Sequence, residues 1–197
     1  MDDIRVVNLN KAFGTHIVFE NTTVRFSAGK RSVVMGESGC GKTTLLRILM
    51  GLEPRDSGEI AGTPKYISAV FQEDRLLEEF SAVSNIAFAA DKDVTNEIIF
   101  RHLAELGLRE SALQSVGELS GGMKRRVAIA RAMLAKKELL LLDEPFKGLD
   151  DQNRDRTAEY IKRNSDGVTT IIVTHDMDEV ALMDAALIRM GNYSNKA

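Results

Sequence analysis

The chain has 197 residues, 44% of them apolar or aromatic and 28% charged, with 26 Lys and Arg against 29 Asp and Glu. That length suits one domain of roughly 100–200 residues, and a net charge of −3 offers nucleic acid or anionic lipid no general attraction. A lone cysteine excludes an internal disulfide framework and a cysteine metal cluster, and no apolar run reaches the ~18–20 residues that cross a bilayer. The acidic start, Met-Asp-Asp-Ile-Arg, has no apolar core and does not read as a secretory leader. The expectation is a soluble, cytoplasmic, single domain over residues 1–197.

Ile4–Leu9 alternates loosely and predicts a strand. Ile17–Phe26 predicts another, with Val18, Glu20, Thr22, Val24 and Phe26 on one face. Ala28-Gly29-Lys30 turns the chain into a short buried strand, Ser32–Met35, followed by a glycine-rich turn over Gly36–Gly41 and a helix from Lys42 to about Met50. Gly51 closes that helix, Pro54 and Gly58 predict a loop, and Tyr66–Phe71 predicts a strand. From Leu76 to Gly117 the spacing turns helical, with Ile98, Ile99, His102, Leu103 and Leu106 on one face and Gly107 as a cap. Leu119-Ser120-Gly121-Gly122 opens a long amphipathic helix to about Ala135, so residues 76–134 read as a helical insertion. Strand Leu139–Leu142, helix Asp151–Arg163, strand Val168–Thr174, helix Met177–Met183 and strand Ala186–Arg189 follow. This alternation predicts an α/β core around a mostly parallel sheet.

Gly36-Glu37-Ser38-Gly39-Cys40-Gly41-Lys42-Thr43 has the spacing G-x-x-x-x-G-K-[ST] between a predicted strand and helix. Glycines let successive backbone N–H groups point into one hollow, and the helix start adds partial positive charge there. Lys42 can then reach β- and γ-phosphates and the Thr43 hydroxyl can ligate Mg²⁺, while Cys40 contributes backbone. The alternative is a glycine-rich turn with a helix-capping lysine.

The apolar run Leu139–Leu142 ends in Asp143-Glu144-Pro145. A buried strand presents such acids rigidly beyond its carboxyl end, where Asp143 can hold Mg²⁺ through water and Glu144 can polarise an attacking water. Two acids there can also be no more than favourable charge at a helix start. Ser120, Gly121 and Gly122 form a second anion-binding helix N-terminus, or an ordinary cap.

Taken together, these motifs closely resemble the ATP-binding subunits of ABC transporters, over about residues 4–190 and in the expected order. The resemblance implies an ABC ATPase fold: a P-loop NTPase core, a small antiparallel β lobe and the helical insertion. It places Phe13 where an aromatic stacks on adenine, the alternative being a plain core or surface phenylalanine. Thr44 falls near the α-phosphate, Gln72 at the Q-loop glutamine that reaches Mg²⁺ and water, and Ser120–Met123 at the signature. Asp143 and Glu144 fall at the Walker B aspartate and catalytic glutamate, Gly148-Leu149-Asp150 at the D-loop, and His175 at the switch histidine. His175 follows a strand, so its imidazole would leave by the same edge as Asp143 and Glu144; His16 and His102 are read as structural. Met123 stands where the signature usually has glutamine, and Lys147-Gly148 where Ser-Ala is usual. A short segment between Gly58 and Val70 implies a trimmed β lobe, and little follows Arg189 for an accessory domain.

The implied activity is Mg²⁺-dependent ATP hydrolysis by a head-to-tail dimer with two composite sites. It would power a transmembrane permease from the inner face of the membrane and, in an importer, would serve a periplasmic solute-binding protein. Leu76, Leu77, Phe80 and Val83 would line the permease groove, or fill the lobe's own core. Phe71–Leu77 most resembles the nitrate, sulfonate and taurine importer class, with Glu78-Glu79-Phe80 departing from it. A soluble ABC ATPase outside transport is the alternative.

Overall fold

The computed structural model describes residues 2–191; Met1 and 192–197, which the one-domain reading includes, lie outside the described residues. Among the described residues the strands form two sheets. Strands β1 (Ile4–Phe13), β2 (His16–Phe26) and β4 (Ser57–Ala61) make an antiparallel sheet in the order β2-β1-β4. Strands β3 (Arg31–Met35), β5 (Ile67–Val70), β6 (Leu139–Asp143), β7 (Thr169–Thr174) and β8 (Ala186–Arg189) make a parallel sheet in the order β5-β6-β7-β3-β8.

The described residues also form six α-helices: α1 (Lys42–Leu49), α2 (Ala82–Ala87), α3 (Asn96–Glu105), α4 (Gly121–Leu134), α5 (Asp151–Asn164) and α6 (Met177–Leu182). Residues 71–138, with α2, α3 and α4, leave after β5 and return at β6. Thr95 caps α3 with its hydroxyl, and Gly107, at φ +71°, turns the chain off that helix's end. No helix among the described residues is long and apolar enough to cross a membrane.

Period two along the parallel strands divides the interior into two cores. Leu140, Leu142, Val33 and Ile172 face the helical lobe, whereas Leu139, Leu141, Val34 and Ile171 face α1 and the antiparallel sheet. All four leucines of β6 are fully buried, which is why the run reads as unbroken apolar sequence.

Three expectations change in the antiparallel sheet. β1 runs on to Phe13 instead of stopping at Leu9. The expected loop around Gly58 is strand β4, because β1 supplies it with a partner. Gly58, at φ +98°, lies so close to β1 that a Cβ would sit 2.5 Å from the Asn8 carbonyl oxygen, so glycine here permits pairing instead of breaking it. The single face expected for β2 is also interrupted. Asn21 adopts φ +47° at an irregular stretch of the β1–β2 register, and Phe19 is buried next to Val18 while Glu20 is exposed.

Candidate functional site

Register brings four strand ends to one edge. Val70 pairs with Leu142, Asp143 with Val173, and Met35 with Thr174. The next residues, Phe71-Gln72, Glu144, Gly36 and His175, therefore leave the sheet side by side. Of these, Gln72, Glu144 and His175 border an open cleft of about 690 Å³.

The floor of the cleft is the turn between β3 and α1. Ser38, Gly39, Gly41, Lys42, Thr43 and Thr44 line it. Gly41 sits at φ +96° ahead of α1, where a Cβ would meet Val18 at 2.5 Å and the Phe19 ring at 2.8 Å. No side chain caps α1, so its first N–H groups face the hollow. Lys42 Nζ curls over the turn and donates to the carbonyls of Gly36 at 2.7 Å and Glu37 at 2.8 Å. Gly36 and Cys40, expected among the binding residues, lie beneath this surface instead of on it. Cys40 is buried with its Sγ 3.8 Å from Lys42 Nζ, and a Cβ on Gly36 would come within 2.5 Å of that sulfur. They shape the turn from inside.

The chemistry-bearing side chains stand opposite. Thr43 Oγ1 donates to Asp143 Oδ2 at 2.8 Å. Asp143 is almost fully buried and burial pushes its carboxyl up from the ordinary range, with the Thr43 hydrogen bond acting in the other direction. A buried carboxylate beside one hydroxyl is an oxygen-only donor set that fits a hard cation such as Mg²⁺, with phosphate and water as the remaining ligands. Glu144 lies between two cation-capable groups, His175 Nδ1 at 3.3 Å and Lys147 Nζ at 3.5 Å. Its backbone holds φ +49°, with its N–H donating to the Val173 carbonyl at 2.9 Å. Gln72 borders the same space.

Phe13 is half exposed at the end of β1 and forms the outer wall. Lys11 Nζ lies 4.6 Å from its ring centroid and is held at 2.7 Å by Glu53, so the ring has a cation behind it and open space in front. His16, read from the sequence as structural, also lines this cleft. The two-residue turn Gly14-Thr15 brings it back beside Phe13, a proximity visible in the sequence only once the two strands are paired. His102 is structural, as expected: Nδ1 meets the Tyr160 hydroxyl at 2.8 Å.

Ser120, Gly121, Gly122 and Asp150 lie elsewhere, in a second cleft of about 510 Å³ between the starts of α4 and α5. Ser120 caps α4, accepting from the Met123 N–H at 3.3 Å. Met123 packs against the helical core, which accounts for an apolar residue at that position. Asp150 caps α5, accepting from the backbone and side chain of Asn153 at 2.9 and 2.8 Å; those bonds hold its carboxyl below the usual range. Gln72 and Lys147 border both clefts. In the sequence Lys147 stands out only as a departure from the usual pattern, and its contact with Glu144 depends on the turn after β6.

A parallel sheet that delivers a phosphate-binding turn, an acid pair and a histidine to one edge defines an α/β P-loop ATPase. The chain belongs to the ABC transporter family, which it matches over residues 19–147. It is 36% identical over 196 residues to the aliphatic sulfonates import ATP-binding protein SsuB 1 of Xanthomonas axonopodis pv. citri, covering 92% of this chain and 78% of that one. It is 38% identical over 191 residues to SsuB 3 of Rhodococcus jostii, covering 94% and 70%. Its fold matches MJ0796, a bacterial ABC transporter cassette solved as a dimer, with a TM-score of 0.83 at 24% identity over 95% of this chain and 94% of that one. Membership of this family implies ATPase activity.

Proposed function

We propose that this chain is the Mg²⁺-dependent ATPase subunit of an importer, working as a head-to-tail dimer on the inner face of the membrane. The observation that carries this reading is the separation of two clefts at glycine-rich helix starts, of which only the first holds Glu144 and His175. An ATP seated on the turn between β3 and α1 would have its γ-phosphate near Glu144 and His175, and Ser120-Gly121-Gly122 of a second copy would close over it. Lys42 and the α1 N–H groups would spread phosphate charge, and Glu144 would orient the attacking water. Mg²⁺ held by Thr43 and Asp143, with Gln72 in reach, would neutralise charge on the β- and γ-phosphates.

The permease would dock on the helical lobe. Leu77, Phe80, Phe88 and Leu113 are exposed, and the Phe80 and Phe88 rings meet edge to face at 5.2 Å. Of the four residues expected in this groove, Val83 and Leu76 belong to the lobe's core. Asn85 holds the patch: its buried side chain accepts from the Leu77 N–H at 2.7 Å and donates to the Leu77, Phe80 and Ser81 carbonyls. The names of the two sulfonate-import relatives support a small organic sulfonate as the solute, and a periplasmic binding protein would deliver it.

Glu144→Gln tests the reading. It should abolish ATP turnover while trapping an ATP-dependent dimer in size-exclusion chromatography; a variant that turns over ATP normally overturns it. Mixing Ser120→Ala with Glu144→Gln subunits should give turnover above the average of the two, because a mixed dimer has one composite site with Glu144 and Ser120 both intact, and strict averaging would end the shared-site model.

A further inference from the structure

Five residues along α4 from Ser120 lies a buried arginine that the scheme above does not use. Arg125 is 3% exposed. A guanidinium so buried is tolerated only when its donors are met, and here they reach two separate loops. Nη2 donates to the Asp143 carbonyl and to the Glu144 carbonyl at 2.6 Å, and Nε donates to the Pro145 carbonyl at 3.4 Å. Nη1 donates to the Phe71 carbonyl and to Asp74 Oδ1 at 2.9 Å.

These acceptors are not a random packing solution. Glu144 is a non-glycine residue at φ +49°, a backbone state that persists only when its surroundings hold it. Phe71 immediately precedes Gln72. Arg131, further along the same helix, donates to the Asp74 and Arg75 carbonyls at 2.9 and 2.8 Å, so α4 grips the whole 71–75 turn. A lysine, with one nitrogen, could not span both loops.

The geometry points to Arg125 as a positioning residue that ties the backbone of Glu144 and the approach to Gln72 to the helix that begins at Ser120. A phosphate that seats against Ser120 in one cleft thereby sets the aim of the carboxylate in the other cleft of the same subunit. This makes α4 a lever between the two ATP sites of a dimer, and it rests on the roles proposed above for Ser120 and Glu144.

Arg125→Gln tests the clamp by two readouts. In hydrogen exchange without nucleotide, the hydrogen-bonded amides of Glu144 and Lys147 should lose protection by about tenfold or more, while those of α1 keep theirs. In turnover, kcat should fall about 10–100-fold with nucleotide affinity held within about twofold, because aim is lost and binding is not. Unchanged exchange and kcat, or affinity falling in step with kcat, overturns the inference. Should Arg125→Gln not fold, Arg125→Lys and Asp74→Asn decide between the outcomes, with kcat expected to fall about 2–10-fold at unchanged affinity. Wild-type kcat in both overturns the clamp. Exchange needs no turnover, so a wild-type chain that failed to hydrolyse ATP would defeat the ATPase reading while exchange still judged the clamp.

Discussion

The two clefts are built by different means. The first rests on parallel strand ends whose register is fixed by buried ladders, and the groups proposed to do chemistry stand on that edge: Asp143, Glu144 and His175. The second is framed by two helix starts, each capped by its own short polar side chain, Ser120 and Asp150. A strand end over a closed core holds an acid in one place, as the activation of water requires. A helix start offers N–H groups and partial charge, which grip an anion and do little else. The contrast supports the proposed division, with reaction in the first cleft and closure in the second.

Four substitutions test that division. Lys42→Ala should have the largest effect, lowering kcat/KM by about 10³-fold or more, since it removes the cation at the centre of the turn. Binding and turnover assays that found a loss below tenfold would remove Lys42 from the phosphates. Ser120→Asp keeps a side chain able to cap α4 and sets a negative charge against any phosphate. It should leave the melting temperature within about 2 °C and cut turnover by about 100-fold, with nucleotide affinity of the isolated subunit unchanged. Equal turnover would make the second cleft structural. Phe13→Ala should weaken ATP about 5–10-fold in a titration, the worth of one aromatic face, and leave kcat near wild type.

Glu179→Gln is the smallest change and sharpens the picture beneath His175. Glu179 is 9% exposed, with Oε2 unpartnered, and burial pushes its carboxyl above the ordinary 4.5, opposed by a hydrogen bond from Thr174. The folded state therefore binds this proton more tightly than the unfolded chain, and stability falls as pH rises from that ordinary value through the folded pKa. The variant should gain about 2–4 °C in melting temperature at pH 7, the scale of a ~1 kcal/mol change, and nothing at pH 4. A gain of equal size at both values would place the effect in packing instead of charge.

Much of the first cleft was legible from sequence because its parts are contiguous: a strand, a turn and a helix for Gly36–Thr44, a strand and two acids for Leu139–Glu144. What stayed hidden depends on partners far along the chain. β4 has alternating partial exposure and a glycine, and only pairing with β1 makes it a strand. His16 reaches the cleft through a hairpin, and Lys147 through the turn after β6. Arg125 and Asn85 read as polar residues on helix faces. Their worth lies in carbonyl groups of other loops, which no periodicity announces.

The neighbouring strands β5 and β6 have further meaning for how the molecule forms. Val70 pairs with Leu142, yet residues 71–138 lie between the two strands. Closing so long a loop to make a parallel ladder is slow unless the intervening chain is already compact. Within that segment α2 packs on both α3 and α4, so the lobe can collapse before the ladder forms and bring the ends of β5 and β6 together. The lobe would then nucleate the sheet edge, and mutations in its core should slow refolding more than they speed unfolding.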